Sequence, residues 1–190
     1  MRAAARRHGA IRLTADDLFE FDQDHYGGIG AVDALAQRAG VAEASRVLDV
    51  CLSQEGLLHI VDKAAVLAEC RRVLIPGGRL AFTDWIAHAR LSDGERARLA
   101  EWMAATTLQS LTGYRALLGR AGFASVEADD LSHEWRAVLR ARLERQRAER
   151  PALIARFGAA WVEDYARLFA VFVDLVNAGK LGGGRFSGTA

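Results

Sequence analysis

The chain has 190 residues, 51% of them hydrophobic and 26% charged, and carries a formal net charge of +1. That length and apolar content suffice for one domain with a core, and the balanced charge argues against general affinity for nucleic acid or an acidic membrane surface. No apolar run approaches the roughly 18 residues of a membrane span, so no membrane partner is expected.

Residues 1–12 are rich in Arg and Ala and lack acids. Without an apolar stretch they do not read as a secretory signal, and a disordered start is expected. Between residues 18 and 40, FEFDQDHYGGIG reads as a polar and aromatic turn, and residues 31–39 as a short helix ended by Gly40. Residues 46–85 then read as strand, turn, amphipathic helix, Pro-Gly-Gly stop and strand. Val47, Leu48 and Val50 form the first apolar run, and Val66, Leu67, Cys70, Val73 and Leu74 share one helical stripe. Ile75-Pro76-Gly77-Gly78 ends that helix, and residues 80–85 are apolar again. This is one βαβ unit, for which a right-handed crossover is expected. Cys51 and Cys70, one in the strand and one on the stripe, read as buried free thiols and fit a reducing cytoplasm.

Residues 86–111 read as a helical insert capped near Ser92 and Asp93, residues 113–122 as a helix stopped by Ala121-Gly122, and residues 123–127 as a strand with Phe123, Ser125 and Glu127 alternating. Ser132 is expected to cap a helix carrying Trp135, Val138, Leu139 and Leu143. Pro151 restarts a long helix with Ile154, Phe157, Trp161, Tyr165, Leu168, Phe172 and Leu175 on one face. It ends near Gly179, and the Gly-rich segment from Leu181 reads as a turn plus a short strand. Lys180 among its glycines is a poor match to a phosphate loop, because no Ser or Thr follows it. Arg136, Arg140, Arg142, Arg145, Arg147 and Arg150 are interleaved with Glu134, Glu144 and Glu149, which is the pattern of a solvated helix face rather than a nucleic-acid surface.

The segments SQEGLLH and RVLIPGGRLAFTDW, within residues 53–85, resemble the second half of a class I S-adenosylmethionine-dependent methyltransferase, most closely of the sarcosine/dimethylglycine N-methyltransferase type. Residues 121–130, AGFASVEADD, match that family's AGFxxVExxD ending. In the family a VLDV strand runs into a loop of the form D-V-x-x-G-x-G, whereas here Val50 is followed by Cys51-Leu52-Ser53-Gln54-Glu55. The chain reads as the start of the first sheet strand joined to the end of the fourth, with on the order of 70–90 residues omitted at about 30 per βαβ step. The fold class implied is α/β, a shortened Rossmann-like methyltransferase fold with a helical cap and insert. As a single domain over residues 1–190, it would comprise an arm and cap (1–45), a partial core (46–131) and C-terminal helices with the last strand (132–190).

The resemblance implies S-adenosylmethionine as cofactor, bound weakly without the glycine loop, and a small-molecule methyl acceptor such as sarcosine or dimethylglycine. In open α/β sheets ligands sit beyond the carboxyl ends of the strands. This gives His59, Glu55, Asp84 and Trp85 as catalytic candidates. His59 would orient or deprotonate the attacking group, or simply pack the turn before Asp62. Asp84 and Glu55 would hold a cationic amine, and Trp85 would offer its ring to an ammonium or cover the sheet end. Cofactor candidates are Ser53 and Gln54 at the strand end, Tyr26 in HYGG, which matches an aromatic that closes over the cofactor in similar enzymes, and Asp49, which matches the first-strand acid. No metal site is expected. The alternative is a non-catalytic methyltransferase remnant acting through partners or as a homo-oligomer, because loss of the inner strands leaves the strand of Val47, Leu48 and Val50 at an edge.

Overall fold

Residues 80–86 are mostly apolar and include two large aromatics, a run suited to a strand covered on both faces. In the computed structural model, which describes residues 28–40, 49–105 and 107–190, they lie in strand β2 (Arg79–Ala87), buried without interruption from Leu80 to Ile86. On one side β2 pairs in parallel with β1 (Val50–Gln54); on the other it pairs antiparallel with β4 (Leu181–Thr189), which in turn pairs antiparallel with β3 (Ala124–Asp130). The strand order is therefore β1-β2-β4-β3.

Helix α1 (Gly28–Arg38) precedes the sheet, and α2 (Lys63–Val73) makes the crossover from β1 to β2. Asp62 starts α2 by accepting the Ala65 N–H at 2.9 Å, and Gly77, at φ +81°, supplies the turn after it. After β2 come α3 (Asp93–Met103) and α4 (Leu111–Arg120). The first begins with a complete Ser92/Glu95 capping box, as Ser92-Asp93 predicts, and the second with Ser110 accepting the Gly113 N–H. Beyond β3 follow α5 (Ser132–Ala148), α6 (Arg150–Phe157) and α7 (Ala159–Asn177).

The sheet separates two cores. On one face Leu67 and Leu74, with Tyr114, Leu117 and Leu118, pack on Phe82, Ile86 and Phe186. On the other, Leu35 and Ala39 cover Ala81, while Trp135, Leu139 and Phe172 surround Trp85. Arg38, at the end of α1, reaches across this face to Ser187 Oγ (3.1 Å), Glu127 (3.0 Å) and Asp129, which also accepts from Arg185.

Several elements depart from the sequence reading. Gly28–Gly30 are helical rather than part of a turn, and Gly158, at φ +87°, breaks the expected long helix into α6 and α7. Ser132 does not cap α5: Asp130 Oδ1 accepts the Ser132 N–H, and the Ser132 hydroxyl faces His88 Nε2 at 2.7 Å. The β3 strand extends to Asp130 and carries a register shift between Ala124 and Glu127, with Ser125 at φ +47°, so plain alternation fails there. Cys51 and Cys70 are free thiols but only half-buried. Of the insert, only α3 is helical among the described residues, and the return to α4 is tied to the sheet by a bridge between Ile86 and Gln109. The expectations for residues 1–12, Tyr26, Val47 and Leu48 lie outside the described residues.

The largest departure is β4. The segment read as a turn with a short strand is an inner strand, and its glycines are required by close approach. A Cβ at Gly182 would lie 1.8 Å from Ser132 Oγ, and one at Gly183 2.2 Å from the Trp135 ring. Helix α5 thus rests on bare backbone. By contrast, Gly94 in the first turn of α3 has nothing within 4 Å of an added Cβ. Gly183→Ala is expected to lower unfolding stability by at least about 2 kcal/mol, whereas Gly94→Ala raises it by about 0.5 kcal/mol. Urea denaturation of the two variants beside the parent checks both signs.

Candidate functional site

Because β1 and β2 are parallel, their carboxyl ends open on the same edge of the sheet. The chain leaves β1 through Glu55, which occupies the left-handed region at φ +51° while its N–H donates to Thr83 O at 2.8 Å. A non-glycine residue there costs on the order of 1–3 kcal/mol and is held by its surroundings. The short 3-10 turn Leu57–His59 follows and buries Leu57 and Leu58, one in each core.

At this edge lies a cluster that the sequence reading only partly identified. Asp84 is wholly buried; its Oδ2 accepts from the Tyr114 hydroxyl, and its Oδ1 has no hydrogen-bond partner among the described residues. Burial pushes its carboxyl up to about 6, against the opposing pull of Tyr114, of the Trp85 and Leu58 amides and of Lys63. Burial, then the charge of Asp84, holds the Tyr114 phenol well above its ordinary range. Lys63 is only 3% exposed. Its ammonium donates to Ile60 O (2.7 Å), Thr107 O (2.5 Å) and Thr107 Oγ1 (2.5 Å), which uses all three of its donors. Burial lowers the Lys63 pKa, and Asp84 opposes that.

Thr107 also lines an open cavity of about 460 Å³ beyond the end of β2, together with Ala87, Arg90, Leu91, Leu99 and Gln109. That volume suits a small molecule. Lys63 therefore connects the vicinity of the buried acid to the cavity wall.

The eight sequence-derived candidates do not all converge. Asp84 and Trp85 are adjacent in β2 and so project to opposite faces. Trp85 is 1% exposed, with ring centroids 4.5 Å from Trp135 and 4.4 Å from Phe172. Its indole lies in the core. His59 is exposed, its Nδ1 3.3 Å from the carbonyl of Ala104, a residue at φ +50° that ends α3. Ser53 and Gln54 lie at the β1 end; the Gln54 Nε2 is buried without a hydrogen-bond partner among the described residues. Asp49 precedes β1, some five residues and roughly 16 Å from Gln54 at the rise of a strand. Tyr26 is outside the described residues.

Sequence reasoning missed Lys63, Tyr114 and His88. A Lys in the first helical turn directly after the cap Asp62, where acids are favoured, was a usable signal. Tyr114 hides among the apolar residues of α4. The His88 Nε2 lies 2.7 Å from Ser132 Oγ and 3.8 Å from Asp130 Oδ2. Both partners address the same ring nitrogen, so the trio lacks the acid on the opposite nitrogen that a nucleophilic Ser-His-Asp triad needs.

Residues 14–82 match the family described as a methyltransferase domain. The chain is 35% identical over 85 residues to the methyltransferase GfsG of Streptomyces halstedii, covering 43% of this chain and 31% of that protein. It is 30% identical over 139 residues to the glycine/sarcosine/dimethylglycine N-methyltransferase of Actinopolyspora halophila, covering 69% of this chain and 24% of that protein. It thus spans less than a third of the length of either relative. In three dimensions it is similar to the phosphoethanolamine N-methyltransferase 2 of Haemonchus contortus, solved with S-adenosyl-L-methionine, at a TM-score of 0.68 and 18% identity, over 74% of this chain and 33% of that one. The fold is therefore a Rossmann-like α/β arrangement with a four-stranded sheet.

The raised pKa of Asp84 fixes the sign of a pH effect. An acid whose folded pKa of about 6 exceeds its ordinary 3.8 contributes stability that is fully present below pH 3.8 and is lost as the pH rises through about 6. A shift of this size corresponds to roughly 3 kcal/mol. Asp84→Asn, which keeps an acceptor for Tyr114, is expected to remove that pH dependence. Its stability relative to the parent should increase between pH 4 and pH 8, as read by urea denaturation of both chains across that interval.

Proposed function

For a chain that belongs to the methyltransferase-domain family through residues 14–82, we propose that it takes part in transfer of a methyl group from S-adenosylmethionine to the nitrogen of a small amine, at the carboxyl ends of β1 and β2. The observation that carries this reading is Asp84, a wholly buried acid within central strand β2, one residue beyond the last that pairs with β1, with one oxygen lacking a partner among the described residues. An acid so placed is costly to the fold, and a cationic or proton-bearing nitrogen would relieve that cost. The relatives named for glycine, sarcosine and dimethylglycine support an amine acceptor, sarcosine or dimethylglycine being the simplest choices.

The residues present fit the cofactor in part. The buried Gln54 amide is a donor without a described partner, and Ser53 stands beside it in β1; these two would hold a polar end of the cofactor. When bound, the cofactor supplies a methyl group activated on a sulfonium. The chain's own groups would position the acceptor: ionised Asp84 attracts its nitrogen, His59 takes up its proton, and Leu57 and Leu58 keep water from beneath the turn. No glycine cradle follows Asp49, because residues 50–54 are paired along β2. Each missing charge-assisted hydrogen bond costs about 1.5–3 kcal/mol, so losing the loop and a ribose-binding acid weakens binding by roughly a thousandfold.

A second reading, a non-catalytic remnant that associates through β1, is favoured by one observation. Among the described strands β1 is paired on one side only, and its Leu52 is 46% exposed.

One set of measurements separates the two. Calorimetric titration is expected to give a cofactor dissociation constant near the millimolar range. Labelled-methyl transfer to sarcosine or dimethylglycine should be detectable at saturating cofactor, with Asp84→Asn and His59→Ala lowering turnover at least about tenfold while leaving the fold intact. Absence of transfer, together with oligomers in sedimentation velocity that Val50→Lys disperses, would establish the remnant reading instead.

A further inference from the structure

Cys51 and Cys70 take no part in the reaction proposed above. Cys51 lies in β1 opposite Leu80 of β2, and Cys70 lies on the inner stripe of α2 between Leu67 and Leu74. Both thiols pack against the same cluster, which contains Leu67, Leu74 and Leu80. The alternation of the strand and the helical spacing thus bring them to one interface between β1 and α2. The two thiols lie near enough for Cys51 to raise the Cys70 pKa, and neither side chain is sealed from solvent. Burial first, and then the neighbouring Cys51, push the Cys70 thiol up to about 11.

We propose that Cys51 and Cys70 form a modification site, at which a small disulfide in solution such as oxidised glutathione converts the two thiols into one intramolecular disulfide joining β1 to α2. In the first step the Cys51 thiolate attacks a sulfur of the external disulfide, forming a mixed disulfide and expelling one thiolate. In the second, the Cys70 thiolate attacks the Cys51 sulfur, the protein disulfide forms, and the second small thiolate leaves. Each cysteine gives up one proton and each departing thiolate takes one up, so the external disulfide is reduced by two electrons and the protein oxidised by two. Cys70 is mostly protonated near neutrality, so the second step accelerates about tenfold per pH unit in that range. The product bridges the elements that carry the Ser53–His59 turn and Lys63, and so stiffens the unit that frames the site.

The test uses the native full chain and 4,4′-dithiodipyridine, a disulfide whose thiol product is coloured. The expected product releases the chromophore twice, retains no adduct, is lighter than the reduced chain by two hydrogens and yields a cross-linked peptide containing positions 51 and 70. Its thermal unfolding midpoint rises, and a reductant reverses the rise. Cys70→Ser should stop at a single stable adduct on Cys51. Accumulation of native chains bearing two adducts, or of covalent dimers, overturns the proposal, and the unsubstituted chain alone suffices to reveal either outcome.

Discussion

Strand β2 must be covered on both faces while holding a carboxylic acid in its middle, and the rest of the architecture follows from how that is met. The apolar part is met by layering: Phe82 and Ile86 face one core, Ala81 and Trp85 the other. The acidic part is met by Tyr114, which donates to Asp84 from α4, and by Lys63 at the start of α2. Both helices therefore serve as lids over apolar side chains and as supports for one polar group. Neither role can be removed without exposing the other, because a buried acid stripped of its donor is worse than no acid at all.

The sheet also sorts the aromatic residues from the chemistry. Trp85, Trp135, Trp102 and Phe172 interlock by edge-to-face contacts on the side opposite Asp84. This aromatic assembly fixes α5 and α7 on the sheet and leaves the Asp84 face to α2 and α4. The sheet can then retain a strained Glu55 after β1 and a wholly buried acid within β2, features whose cost a well-packed opposite layer offsets.

Much of this was legible in the residues. The βαβ unit, the Pro-Gly-Gly stop and the Ser92 cap each have a local cause, and the structure has each of them. The wording around SQEGLLH and PGGRLAFTDW pointed to the family that residues 14–82 match. What escaped the sequence depends on distant partners. Gly182 and Gly183 look like a flexible turn until α5 is seen lying on them, and Lys63 looks like a surface cation until Thr107 is folded over it. Trp85 and Asp84 look like neighbours in a site, yet strand geometry sends them to opposite faces.

The position of β4 has a consequence for the order of events during synthesis. It is the last of the four described strands in chain order, yet it lies between β2 and β3. Until residues 181–189 have been made, β3 has none of the described strands beside it and β2 is open along the side that β4 occupies. A nascent chain that has completed α7 therefore carries a divided sheet whose inner edges are exposed. Chains made from the N-terminus outward usually fold unit by unit as they emerge. Here the unit closes only when β4 arrives, so cooperativity is concentrated in residues 181–189, and the interval before their synthesis is when chaperone protection matters most.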